Sequence, residues 1–156
     1  MDPKNWRELT KTGVSEIDNE HRLILHMVEE LRSAFRSATR DTLPGPLVAS
    51  TFHNLISFIN EHFGAEEKLM QDSGYPEYDL HKGEHDRFLE YLGQTTDASL
   101  LADAPAMLEF LNTLSNWLHH HVLEVDRRLG YFLLERLVVD RVPKFNRDAP
   151  PPSAAP

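Results

Sequence analysis

Cysteine is absent from this 156-residue chain. Its absence excludes disulfides, thiolate zinc sites, iron–sulfur clusters and a cysteine nucleophile. Aspartate and glutamate together number 25 and histidine nine, so carboxylate and imidazole ligands are plentiful. Any metal ion in this protein must therefore be held by histidine and carboxylate side chains.

Clusters of positive charge and long apolar runs are also missing. Sixteen basic against 25 acidic side chains give a formal net charge of −9 at pH 7, which repels phosphate backbones, so we expect no nucleic-acid partner. No apolar run has the length of a membrane-spanning helix, and the N-terminal MDPKNWRELTKTG lacks the apolar core of a signal peptide. We therefore expect a cytoplasmic protein without membrane insertion.

Four segments carry apolar residues at helical spacing, and short loops with glycine and proline separate them. The predicted helices cover about residues 15–40, 47–71, 77–97 and 105–130. Short loops favour antiparallel neighbours, and the length suits one domain with a hydrophobic core. The sequence therefore predicts an all-α, up-and-down antiparallel four-helix bundle.

The bundle is assigned to residues 15–130, with Gly130 ending or interrupting its last helix. Residues 1–14 have no sustained period and are interpreted as an N-terminal arm. Residues 131–142 are a candidate for one more helical piece in a short C-terminal extension. Residues 143–156 are proline-rich, which is typical of a disordered tail.

Histidines are clustered on the apolar faces of all four predicted helices. These five histidines are His21, His62, His81, His85 and His121. A single histidine on such a face is more often a hydrogen-bonded core residue than a ligand. Four faces that converge on one core and each deliver an imidazole favour a metal site instead. The other histidines fall elsewhere: His26, His53 and His119 are predicted at the surface and His120 at the periphery.

Glu66 shares the apolar face of the second helix with His62. The two are four residues apart, or about 40° on a helical wheel, so both side chains reach one point inside the bundle. His81 and His85 repeat this spacing on the third helix. A buried carboxylate costs several kcal/mol unless a cation balances it, and no lysine or arginine shares this face. A metal ion is the natural countercharge.

On the last helix, spacing alone does not choose the carboxylate. His121 lies on the apolar face, whereas His120 is about 100° away from it. Glu124 makes an i,i+4 pair with His120. Asp126 follows His121 by five residues, and it reaches the same point only if the helix unwinds locally, as a π-bulge allows. Five imidazoles with one or two carboxylates exceed the needs of a four-coordinate zinc ion and favour two bridged ions, with iron preferred to manganese.

Four stretches resemble the hemerythrin family, in its bacteriohemerythrin branch. They are GVSEIDNEH (13–21), HFGAEEKLM (62–70), GYPEYDLHKGEH (74–85) and WLHHHVLEVD (117–126). Together they give His, His-x3-Glu, His-x3-His and His-x4-Asp in that order, which is a specific combination. The resemblance covers roughly residues 6–130.

The resemblance implies a non-haem diiron site in a four-helix bundle. One iron would be bound by His81, His85 and His121, and the other by His21 and His62. Glu66 and Asp126 would bridge the two irons together with an oxo or hydroxo group, which chooses Asp126 over Glu124. The iron with two histidines would keep an open coordination position for reversible O2 binding.

Three further residues near the motifs are singled out. Trp117 and Leu118 lie one turn before His121 and are candidate walls of a dry O2 pocket, although core packing explains them equally well. Glu20 stands before His21, where glutamine is common in this motif. Its charge could alter the redox behaviour of the site from just outside the ligands.

The resemblance therefore implies an oxygen carrier or storage protein that is not an enzyme. The alternative is an O2 or redox sensor that passes a change of state to a protein partner through residues 131–140 or the tail. A diiron oxidase or peroxidase is less favoured, because ferritin-like oxidases use carboxylate-rich sites with Glu-x-x-His pairs. No histidine in this sequence has a glutamate three residues before it.

Overall fold

The computed structural model describes residues 11–37, 45–96 and 100–141, without the side chains of 137–141. Most of the predicted N-terminal arm and all of the predicted disordered tail therefore lie outside the described residues. Within them, five α-helices and no strand occur. The helices are α1 (Ser15–Arg36), α2 (Pro46–Ser73), α3 (Tyr78–Thr95), α4 (Ala104–His121) and α5 (Arg127–Arg141). A 3₁₀ turn precedes α4, and a π-helix, Val122–Asp126, joins α4 to α5.

The prediction of an all-α four-helix bundle is confirmed. Helix α1 packs against α2 and α4, and α2 packs against α3. Local signals set several helix ends. Pro46 opens α2, where its missing N–H costs nothing, and Gly74 follows α2 in the left-handed conformation with φ 65°. Asp103 caps α4 by accepting a hydrogen bond from the Ala106 N–H at 3.0 Å.

Gly130 does not end the last helix, so that part of the prediction is wrong. The chain stays helical from Ala104 through the π-helix to Arg141. Gly130 lies inside this long helix and is buried against the arm: a Cβ placed on it would come within 2.3 Å of the Thr12 carbonyl oxygen. The glycine is there for close approach of two backbones rather than for termination.

Two apolar clusters fill the bundle. The larger contains residues such as Ile24, Phe63 and Leu118. The smaller consists of Ile17, Met70, Tyr75 and Leu129, with partly buried neighbours that include Val14 and Phe132. Helix α1, helix α2 and the segment from α4 to α5 each supply residues to both clusters. On each of them, buried polar residues lie between the residues of the larger cluster and those of the smaller one. The site described below is therefore enclosed by apolar side chains at both ends.

Thr12 connects the arm to this end of the bundle. It is 2 % exposed, and both its backbone N–H and its hydroxyl donate hydrogen bonds to Asp18 Oδ1, at 2.7 and 2.8 Å.

Among the described helices, none has the combination of length and apolarity needed to cross a membrane.

Candidate metal centre

The seven side chains predicted as ligands are brought together in the bundle. Each is at most 2 % exposed, and they come from all four helical segments: His21, His62, Glu66, His81, His85, His121 and Asp126. The histidines assigned to the outside behave differently. His26, His53 and His120 are exposed, and His119 is half-buried rather than at the surface.

Asp126 lies at the middle of the cluster. Its Oδ1 is 3.1 Å from His81 Nε2 and 3.0 Å from His121 Nε2. Its Oδ2 is 3.2 Å from His21 Nε2, on α1. One carboxylate thus faces imidazoles on three different helices.

Glu66 likewise faces three imidazoles. Its Oε2 lies 3.6 Å from His81 Nε2 and 3.4 Å from His85 Nε2, and its Oε1 lies 3.9 Å from His62 Nε2. Two groups of potential ligand atoms result, each within 4.8 Å, and Glu66 belongs to both. The first is Glu66, His81, His85, His121 and Asp126, and the second is His21, His62 and Glu66.

The π-helix explains how Asp126 reaches the site. In an α-helix, residues five apart diverge by about 140°, but the wider π turn aligns residues five apart on one side. The π-helix covers Val122–Asp126, directly after His121, and both His121 and Asp126 are buried. His120 and Glu124, the alternative pair, are both exposed.

The donor set suits a metal ion, because the site leaves many buried polar atoms unpaired. Among the described residues, these include both oxygens of Glu66 and of Asp126 and the Nε2 atoms of His21, His62 and His81. Unpaired buried atoms of this kind are costly in an apolar core. The Nε2 atoms of His85 and His121 also lie only 3.1 Å apart, so a cation shared with the carboxylates would satisfy them.

Electrostatics keep the two carboxylates ionised. Burial and the neighbouring Asp126 push the pKa of Glu66 up, but the nearby imidazoles of His62, His81 and His85 outweigh them and lower it to about 2. Burial likewise opposes ionisation of Asp126, yet the adjacent imidazoles, His121 above all, hold its pKa well below the ordinary value. Burial lowers the pKa of His81, but Asp126 and Glu66 raise it to about 9. The cluster therefore requires positive charge, from protons or from metal ions.

Two carboxylates lie just outside the cluster. Glu20, singled out from the sequence, accepts a hydrogen bond from His62 Nδ1 at 2.7 Å. Glu67 accepts one from His85 Nδ1 at 3.2 Å, and the sequence analysis did not identify it. One sequence feature could have indicated it. Glu67 directly follows Glu66 and so lies about 100° further around α2, where its side chain meets His85 of α3.

Aromatic rings cover the ligands on one side. Trp117 is half-buried and stacks on the His121 ring, with centroids 4.4 Å apart and planes 14° from parallel. Phe63 stacks in the same way on His85, at 4.0 Å and 3°. Leu118 is 2 % exposed and belongs to the larger apolar cluster. These contacts place Trp117 beside the cluster and show that Phe63, not identified from the sequence, also borders it.

Known proteins have similar sequences and folds. The model of the hemerythrin HHE cation binding domain matches residues 12–133. The bacteriohemerythrin of Methylococcus capsulatus is 28% identical over 119 residues, covering 76% of this chain and 87% of the relative. The myohemerythrin of Theromyzon tessulatum is 25% identical over 125 residues, covering 80% and 89%.

Among solved structures, a wild-type hemerythrin is similar, with a TM-score of 0.61 and 27% identity over 78% of this chain and 90% of that one. The bacteriohemerythrin of Pseudomonas aeruginosa PAO1 is 28% identical over 121 residues, 78% of this chain and 75% of the relative. The match to the family model spans every residue of the buried histidine and carboxylate cluster. This chain therefore belongs to the hemerythrin family.

Proposed function

We propose that this protein holds two iron ions in the candidate metal centre and binds O2 reversibly, as an oxygen carrier or storage protein and not as an enzyme. The observation that carries the proposal is the buried convergence of five imidazoles and two carboxylates whose facing atoms lack other partners. A pair of ferrous ions would supply the two electrons that reversible O2 binding takes up. The names of the similar proteins, bacteriohemerythrin and myohemerythrin, support the same function.

In this proposal the ligands divide unevenly between the ions. His81, His85 and His121 hold one ion, while His21 and His62 hold the other. Glu66 and Asp126 would be shared between the two ions, with an oxo or hydroxo group completing the bridge. The distances support bridging, because Asp126 faces His21 as well as His81 and His121, at 3.0 to 3.2 Å. The ion with two histidines has fewer protein ligands, and we assign O2 binding to it.

The surroundings support binding of O2 rather than its activation. Imidazoles outnumber carboxylates by five to two, whereas ferritin-like oxidases use carboxylate-rich sites. The rings of Phe63 and Trp117 cover His85 and His121, and Leu118 packs into the apolar cluster beside them. In the proposed function these side chains would limit the entry of water to the site.

The test begins with iron per chain in protein produced in iron-replete medium. The sample is then reduced without oxygen, and visible spectra are recorded before O2 is admitted, after it is admitted and after it is removed. We expect two irons and a charge-transfer band that forms and disappears reversibly. Oxidation without a lasting adduct would favour a sensor or an oxidase, and a protein without iron would refute the proposal.

Variants locate the iron. Glu66→Ala should lose bound iron, because it removes a carboxylate shared by both groups of ligand atoms. His120→Ala is the matched control: it deletes an exposed imidazole next to His121 and should retain two irons. Retention of two irons by Glu66→Ala would contradict the ligand assignment.

A further inference from the structure

Two of the five buried imidazoles are linked to carboxylates outside the cluster. All five rings direct Nε2 towards the cluster, which turns Nδ1 away from it. His62 Nδ1 meets Glu20 and His85 Nδ1 meets Glu67. His62 belongs to the smaller group of ligand atoms and His85 to the larger. Each proposed ion therefore has one histidine with a carboxylate behind it.

Glu20 and Glu67 differ in how strongly each carboxylate acts on its histidine. Glu20 Oε2 is 2.7 Å from its imidazole, against 3.2 Å for Glu67 Oε1. The other oxygen of Glu67 lies 3.8 Å from Lys82 Nζ, whose positive charge offsets part of the negative charge that His85 experiences. Glu20 also acts on an ion with two histidines rather than three, so its influence is divided among fewer ligands.

A carboxylate that accepts the Nδ1–H of a ligand histidine makes that imidazole more basic and a stronger electron donor. Stronger donation stabilises the ferric ion more than the ferrous ion, and a nearby negative charge acts in the same direction. We propose that Glu20 is a positioning residue that acts through His62 to lower the reduction potential of the two-histidine iron. This inference rests on the proposed function, and it makes Glu20 a determinant of how readily the reduced centre is oxidised.

The test compares Glu20→Gln, Glu20→Ala and Glu67→Gln in iron-loaded protein. Glutamine keeps an acceptor for the His62 Nδ1–H but removes the charge, whereas alanine removes both. Glu16→Gln is the matched control, because Glu16 is an exposed glutamate one turn earlier on α1. For each protein we would measure iron per chain, the midpoint potential by spectroelectrochemistry and the rate of autoxidation.

We expect Glu20→Gln to retain two irons, to shift the potential upwards and to slow autoxidation, because the ferric state loses the stabilisation that the carboxylate supplies through His62. Glu67→Gln should shift the potential less, and Glu16→Gln should leave it unchanged. A purely structural hydrogen bond would instead leave Glu20→Gln at the wild-type potential and change only Glu20→Ala.

The outcomes separate this inference from the proposed function. If wild-type protein holds no iron, both are overturned. If wild-type protein holds two irons and binds O2 while Glu20→Gln has an unchanged potential, only the role of Glu20 is overturned. A shift in Glu67→Gln as large as that in Glu20→Gln would also overturn it, because the asymmetry between the two carboxylates would then have no effect.

Discussion

Replacing Gly130 by alanine tests the close packing of the arm against the last helix. The added Cβ would lie 2.3 Å from the Thr12 carbonyl oxygen and 3.0 Å from both the carbonyl carbon and Cβ of the same residue. Ordinary van der Waals contact needs more than 3.4 Å, so one backbone must move by about 1 Å. Thr12 is nearly fully buried and bonded twice to Asp18, and it therefore cannot move without loss.

Three contributions determine the size of the effect. Forcing a methyl group into filled space costs about 1–3 kcal/mol. Displacing Thr12 weakens two hydrogen bonds to Asp18, each worth about 1 kcal/mol. Alanine recovers about 1 kcal/mol relative to glycine within a helix. We expect Gly130→Ala to lower the free energy of unfolding by about 2 kcal/mol.

Gly64→Ala, in contrast, is expected to raise the free energy of unfolding. Gly64 is exposed in the middle of α2, and a Cβ there would meet nothing within 4 Å. The variant should therefore be more stable than wild-type protein by about 0.5–1 kcal/mol, from helix propensity alone. Urea unfolding, followed by circular dichroism, measures the free energy of unfolding of both variants. Wild-type and variant proteins are compared at equal metal loading, and a shift of the urea midpoint at unchanged slope reports a change in stability. If Gly130→Ala proves as stable as wild-type protein or more so, the close approach of Thr12 is refuted.

Three further predictions concern the site and the bundle. Asp126→Asn should lose bound metal, while Glu124→Gln should keep it; metal analysis of purified protein distinguishes them. In metal-free protein, stability from Glu66 is lost as pH falls from 4.5 towards its lowered pKa of about 2, and stability from His81 is lost as pH rises from 6.5 towards its raised pKa of about 9. Thermal unfolding across pH should therefore show a maximum between about 4.5 and 6.5. Arg32→Met removes two hydrogen bonds to α4 and should lower the free energy of unfolding by about 1–2 kcal/mol in urea.

The helical period was sufficient for most of the fold and for much of the site. His62 and Glu66 lie on a straight helix, where a wheel at about 100° per residue places side chains correctly. Asp126 could not be chosen in this way, because the wheel assumes α-helical geometry and the chain is π-helical at that point. The resemblance to the hemerythrin motif, not periodicity, selected it.

Tertiary contacts account for what the sequence analysis missed or misjudged. Gly130 was interpreted as a helix end from its intrinsic propensity, but its neighbour is Thr12, more than a hundred residues earlier in the chain. Glu67 was not identified because its role depends on His85 and Lys82 of α3. The local sequence around Gly130 or Glu67 does not indicate these contacts, because they form only when the helices pack.

The π-helix also absorbs one residue without turning the helix that follows it. Four steps of an α-helix bring a side chain back to within about 40° of its starting direction, and the wider π turn after His121 reaches nearly the same direction in five. Deleting one residue between His121 and Asp126 and returning to α-helical geometry would therefore leave Leu129 at the smaller apolar cluster and Gly130 against Thr12. Anywhere else in the helices that carry the ligands, a deletion would turn the rest of its helix by about 100°. The bundle should consequently tolerate the loss of one residue in this short segment better than at other helical positions.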